Sequence, residues 1–169
     1  MAKTWFVADT HFGHRGIIEM CFRPFASIEE HDAALISNWN SRVGGSDTVY
    51  HLGDFSHRSG RDCSHYLDRL KGKVHLIHGN HDREATRADE RWLSSTPMMH
   101  INHQGHHITL CHYAMRVWPK SHRGSLHLYG HSHGRLSGDR QSLDVGVDCW
   151  GYYPISLDEI LERLQTQPD

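Results

Sequence analysis

The chain opens on an apolar run, Trp5-Phe6-Val7-Ala8, that suits a strand buried on both faces. A helix is expected over 27–43. Leu35, Ile36, Trp39 and Val43 fall on one apolar face, Ser27 and Glu30 have capping-box spacing, and Gly44-Gly45 ends the run. Thr48 to Leu52 is the second expected strand. A second helix follows, with Cys63, Tyr66, Leu67 and Leu70 at i, i+3, i+4, i+7 and Gly72 closing it. Val74 to Ile77 is the third strand, and the polar stretch from Asp82 to Trp92 predicts a solvated helix. After Pro97 the pattern becomes hairpin-like. Met98 to Asn102 and His106 to Leu110 flank the turn Gln104-Gly105. Leu126 to Tyr129 and Asp144 to Asp148 are later strands. Ser156 to Leu164 closes the pattern as a helix with Ser156 and Glu159 as its capping box.

Strands and helices thus alternate first, and hairpins follow. Five of the apolar strands run into polar motifs: Asp9-x-His11, Gly53-Asp54, Gly79-Asn80-His81-Asp82, His112, and Gly130-His131-x-His133. The carboxyl ends of strands are where α/β sheets place their chemistry. In extended chain, residues two apart point the same way, so Asp9 and His11 can share one ion. An Asn oxygen such as that of Asn80 ligates a metal without adding charge.

Composition strengthens one part of this picture. The 169 residues include 18 histidines, and imidazole is the commonest metal ligand. A formal net charge of -2 gives no global basic field to recruit nucleic acid. The four cysteines form no CxxC pair, which argues against a structural zinc knot and leaves them as small buried residues. The length suits one domain spanning 1–169. With neither a signal-like leader nor a membrane-length apolar run, a cytoplasmic location and no membrane partner are expected.

Seven oxygen and nitrogen donors, Asp9, His11, Asp54, Asn80, His112, His131 and His133, are too many for one transition metal. Two ions sharing a carboxylate would use them all, and mixed N/O donors without thiolate suit manganese, iron or zinc. The ordered set of five motifs over 9–133 resembles the calcineurin-like metallophosphoesterases. The resemblance implies an α/β/β/α sandwich of four layers with a dinuclear metal site at the carboxyl ends of the strands. It implies that Asp9, His11 and His133 hold one divalent ion, that Asn80, His112 and His131 hold the other, and that Asp54 bridges them. It also implies that a metal-bridging hydroxide attacks phosphorus in line, with His81 as the catalytic acid for the leaving oxygen. Two divalent ions, less two carboxylates and a hydroxide, leave a net charge of about +1, attractive to a phosphoryl group.

One departure from the family is informative. In the Ser/Thr protein phosphatase branch the motif at Gly53-Asp54 continues to a second aspartate that orients the catalytic histidine. His57 stands there in this chain, which argues against a protein phosphatase and leaves Asp82 as the adjacent candidate to orient His81. His14, Arg15 and His57 lie beside the motifs as candidate substrate contacts. The loop from Arg116 to Arg123 suggests Trp118 stacking on a base while Arg116, Lys120 or Arg123 holds a phosphate. The alternative is a solvated loop with one packed Trp. The expected activity is phosphodiester hydrolysis on a nucleotide or nucleic-acid-like substrate. A phosphomonoesterase acting on a small metabolite and a non-catalytic metal-binding scaffold are the alternatives.

Overall fold

The computed structural model describes residues 1–168. Two four-stranded sheets form its centre. The first contains β1 (Thr4–Val7), β2 (Thr48–His51), β3 (Lys73–Ile77) and β4 (Ser94–Thr96), all parallel and in that spatial order. The second contains β5 (Met98–His103), β6 (His106–Cys111), β7 (Leu126–Tyr129) and β8 (Ser142–Asp144). There β5 and β6 are an antiparallel hairpin, while β6, β7 and β8 run parallel.

The two-residue alternation of β1 divides its side chains between two cores. Trp5 and Val7 join Val49, Val74 and Leu76 under the long helix α2 (Ile28–Arg42). Phe6 and Ala8 join Leu52, Ile77, Ile108, Leu110, Leu128 and Leu143, which fill the space between the sheets. The C-terminal helix α5 (Leu157–Leu164) adds Leu157, Ile160 and Leu164 to this second core and touches β1 and β8. Mixed α/β architecture with two sheets and flanking helices is therefore present.

The sheets are joined along β1. The Ala8 N–H donates to Val145 O at 3.1 Å, and the Val147 N–H donates to Ala8 O at 3.0 Å. This join brings the residues after β1 next to those after β7 and β8.

Several predicted elements shorten. The helix expected from Cys63 to Leu70 is one turn, α3 (Ser64–Leu67), followed by turns. The helix expected over 82–92 is one turn, α4 (Glu84–Arg87), and Ser94 to Thr96 then pair with β3 as an unexpected polar edge strand. The late strand ends at Asp144, and Val147–Cys149 is a 3₁₀ turn. A further single turn, α1 (Ile17–Met20), lies before α2. Among the described residues no helix is long and apolar enough to cross a membrane.

Candidate metal centre

The carboxyl ends of β1, β2, β3, β6 and β7 converge, and each delivers donor residues from the loop that follows it. Asp9, His11 and His133 form one group, and Asp54, His112 and His131 form another; within each, donor atoms lie within 4.8 Å of one another. Asp54 lies between the groups. Its Oδ2 is 3.5 Å from His11 Nε2 and 3.5 Å from His112 Nε2. Asn80 Oδ1 is 3.1 Å from the same His112 nitrogen. All seven sequence-predicted donors are thus brought to one place.

The backbone is bent to achieve this. Asp9, His11, Asp54, His131 and His133 all have φ between 48° and 66°. That left-handed region costs a non-glycine residue on the order of 1 kcal/mol. The loops after β2 and β3 also approach closely. A Cβ on Gly53 would sit 2.5 Å from Gly79 N and 2.7 Å from His112 Nδ1, and one on Gly79 would clash with Asp54. Only glycine fits at these two positions.

Asp82 ties the two loops together. Its carboxylate accepts from Gly79 N–H at 2.8 Å, Asp54 N–H at 2.9 Å and Phe55 N–H at 2.9 Å. Asp82 therefore does not orient the His81 ring, as its adjacency suggested; three backbone donors occupy it. The ring packed on His81 is His57, with centroids 4.1 Å apart, and His57 Nδ1 is buried without a hydrogen-bond partner. His81 N–H donates to Asp54 Oδ1 at 2.8 Å, and its ring lies 5.5 Å from that of His11.

The donors fit metal ions on several grounds. Asp9 Oδ1 and His11 Nε2 are buried and have no hydrogen-bond partner in the protein, an arrangement that costs free energy unless something binds there. His112 Nδ1 lies 2.7 Å from Leu52 O and must donate to it, so a neutral ring turns a lone pair from Nε2 toward two oxygens. Only a proton or a cation reconciles that contact. Burial pushes the Asp9 carboxyl up to about 7 and His11 well below the usual imidazole range. Burial would also raise Asp54, but the hydrogen bond from His112 and the His112 and His11 charges hold it well below the carboxylate range.

A buried network that the sequence did not reveal supports His133. His133 Nδ1 donates to Asp148 Oδ2 at 2.8 Å, and Arg23 grips the same carboxylate through Nε at 2.9 Å and Nη2 at 2.8 Å. Arg23 also donates to Asp9 O and Thr10 O, and its Nη1 lies 2.7 Å from His31 Nε2. His31 in turn meets Asp32. Burial opposes protonation of His133, yet Asp148 and neighbouring groups carry it to about 10. Such partners orient a ligating ring and raise its basicity. Arg23 sits in the apparent loop before α2 and Asp148 lies 125 residues away, so no local signal linked them. Cys21, His133 and Asp148 form a third donor cluster, but it shares His133 with the first.

The predicted substrate contacts divide. His14 Nδ1 lies 3.2 Å from His11 Nδ1, and its ring is 4.7 Å from that of His57, so it stands beside the donors. Arg15 is exposed and paired with Glu29 at 3.0 Å. Trp118 is not free to stack on a base. It is only 8% exposed, its ring packs 5.3 Å from His127, and its N–H donates to Ser125 O at 3.1 Å. Arg123 precedes the amino end of β7, opposite the end that carries His131. Arg116 is exposed and has no hydrogen bond or ion pair with the donors among the described residues. The loop is therefore the packed-Trp alternative, because the outer face of β7 needs covering.

A sandwich of two sheets places histidine and carboxylate donors that could hold metal ions at their shared edge. Residues 3–147 match the model of the calcineurin-like phosphoesterase superfamily domain, and the chain belongs to that family. Its members are phosphoesterases that use divalent metals. The chain is 31% identical to the uncharacterized protein MJ1445 of Methanocaldococcus jannaschii, covering 98% of this chain and 93% of that one. It is 30% identical to the Gene 66 protein of Mycobacterium phage L5, covering 96% and 94%. In fold it resembles AQ665 of Aquifex aeolicus, a protein of unknown function, with a TM-score of 0.75, 24% identity, and coverage of 96% and 100%.

Proposed function

We propose that the whole chain, 1–169, is one catalytic unit that hydrolyses phosphodiesters of nucleotide or nucleic-acid-like character with two divalent ions, in the cytoplasm. The observation that carries this reading is the position of Asp54 Oδ2, 3.5 Å from both His11 Nε2 and His112 Nε2 between two donor groups. Asp9, His11 and His133 would hold one ion, Asn80, His112 and His131 the other, and Asp54 both. Bound there, manganese, iron or zinc would polarise a phosphoryl oxygen and supply hydroxide near neutral pH.

The side chains have separate tasks. Arg23 and Asp148 keep the Nδ1 proton of His133 away from the centre, leaving Nε2 to bind. Leu52 O does the same for His112. His81, at the edge of the centre, donates a proton or hydrogen bond to the leaving oxygen, and His57 holds its ring. Asn80 and His131 are solvent-exposed, which supports a site open enough for an extended diester.

The test compares bis-p-nitrophenyl phosphate with p-nitrophenyl phosphate, using manganese-loaded protein. Faster diester turnover is expected, together with its loss in Asp54→Asn. His81→Ala should retain metal and lose about 10²- to 10⁴-fold in kcat, the usual worth of a positioned acid. Faster monoester turnover would sink the diester reading.

A further inference from the structure

Beyond His81 and His57 the surface opens into a cleft of about 510 Å³ whose walls include Arg58, Arg61, Arg83 and Thr86. That is within the usual size range of small-molecule sites. None of the three arginines has a side-chain hydrogen bond or ion pair among the described residues. Elsewhere on the surface Arg15, Arg42 and Arg91 are paired with Glu29, Glu159 and Asp68. Two carboxylates also line the cleft, but Asp89 is committed to Arg91 N–H at 2.9 Å and to Cys63 Sγ at 3.3 Å. Three guanidiniums without a side-chain partner therefore line the cleft together with one uncommitted carboxylate, Asp62, and two of them, Arg58 and Arg61, also border the adjoining pocket beside Asp32.

Position gives this charge a meaning. His81 lines the cleft and also stands beside His11, so it separates the cleft from the metal donors. Under the function proposed above, His81 serves the leaving oxygen, and the departing group lies on its cleft side. An uncompensated cluster of guanidiniums recognises phosphate, often by bidentate hydrogen bonds.

We infer that the cleft bounded by Arg61 and Arg83 is a second phosphate subsite, and that the preferred substrates release an alcohol bearing a further phosphate group. A nucleotide unit whose ribose hydroxyl is the leaving oxygen and whose 5′-phosphate enters the cleft meets this requirement. The inference rests on the phosphoesterase reading only for which side of the substrate enters the cleft.

The experiment uses the full-length, manganese-loaded protein. Adenosine 3′,5′-bisphosphate and adenosine 3′-monophosphate are compared as inhibitors of bis-p-nitrophenyl phosphate hydrolysis, and their binding is measured by calorimetry. The bisphosphate should bind at least about tenfold more tightly, as expected for one well-held phosphate. In Arg61→Ala/Arg83→Ala that advantage should shrink to about twofold or less. The ratio of the two ligands cancels general damage to the protein. An equal affinity for both ligands in the parent, or an advantage that survives in the double variant, overturns the subsite. An arginine-dependent advantage in calorimetry from a protein that turns over no phosphoester supports the subsite and counts against the catalytic reading instead.

Discussion

Asp9 is a carboxylate buried to 0% exposure with one oxygen unpartnered. Burial lifts its pKa from 3.8 to about 7 in the metal-free fold. A folded-state pKa above the unfolded value means that Asp9 supports folding at low pH. That support is full below about 4 and is lost as pH rises through 7. Asp9 by itself should therefore make the metal-free protein less stable as pH rises from about 4 to 7. Buried histidines such as His11 and His51, with lowered pKa, act the other way, so the Tm of Asp9→Asn relative to the parent should rise across that window. Manganese should stabilise the parent most at the upper end of that window, where an ion takes the place of the proton. Melting curves of both metal-free proteins across that range check this; a Tm difference between Asp9→Asn and the parent that stays constant from about pH 4 to 7 would refute the account.

At the residue scale the donors were legible because each follows a strand in a recognisable short motif. The supports were not. The link from Arg23 to Asp148 to His133 depends on tertiary approach, and neither residue carries a local signal of pairing. Asp82 was noticed for its adjacency to His81, but adjacency in sequence placed its carboxylate under the backbone of 53–55 instead.

Among the elements, the turn that ends α2 shows how a loop can hold a sheet edge. Asp47 accepts from Lys3 N–H at 2.8 Å, Trp5 Nε1–H at 2.9 Å and Gly44 N–H at 2.9 Å, which ties the start of β1 to the start of β2. Those hydrogen bonds, with the Lys3 and Gly44 amides foremost, hold its pKa below 3.8. The sign is opposite to that of Asp9: the stabilisation is present above the unfolded pKa and lost as pH falls through the lower folded value. Asp47→Ala should cost about 1–3 kcal/mol near neutral pH, since it strands the buried Trp5 N–H and takes a charged acceptor from two part-buried amides. Urea denaturation at pH 7 measures it, and a cost below about 0.5 kcal/mol would show that the turn is held otherwise.

Element legibility tracked the strength of the pattern. The helix α2 matched its expected bounds within a residue, and Ser27 caps it as read, accepting from Glu30 N–H at 3.1 Å. The helix α5 forms both halves of its capping box. The polar run after Asp82 had no apolar face to bury, so it collapsed to a single turn at α4. The strand β4, Ser-Ser-Thr, carries no hydrophobic signal and exists through pairing with β3.

At the scale of the molecule, function depends on the join between the sheets. The first sheet supplies Asp9, His11, Asp54 and Asn80, and the second supplies His112, His131 and His133. Hydrogen bonds between Ala8 and the 145–147 segment fix the two sets face to face. The order of motifs along the chain foretold membership in the phosphoesterase family. The arginine cleft had no such signature, because Arg61 and Arg83 come from different loops and acquire meaning only where those loops meet beside His81.

The most direct test is a calorimetric titration of metal-free protein with manganese. Two ions per chain should bind, with both sites weakened in Asp54→Asn and chiefly one weakened in His131→Ala. A single ion per chain, or an Asp54→Asn protein that binds manganese as the parent does, would contradict a shared dinuclear centre.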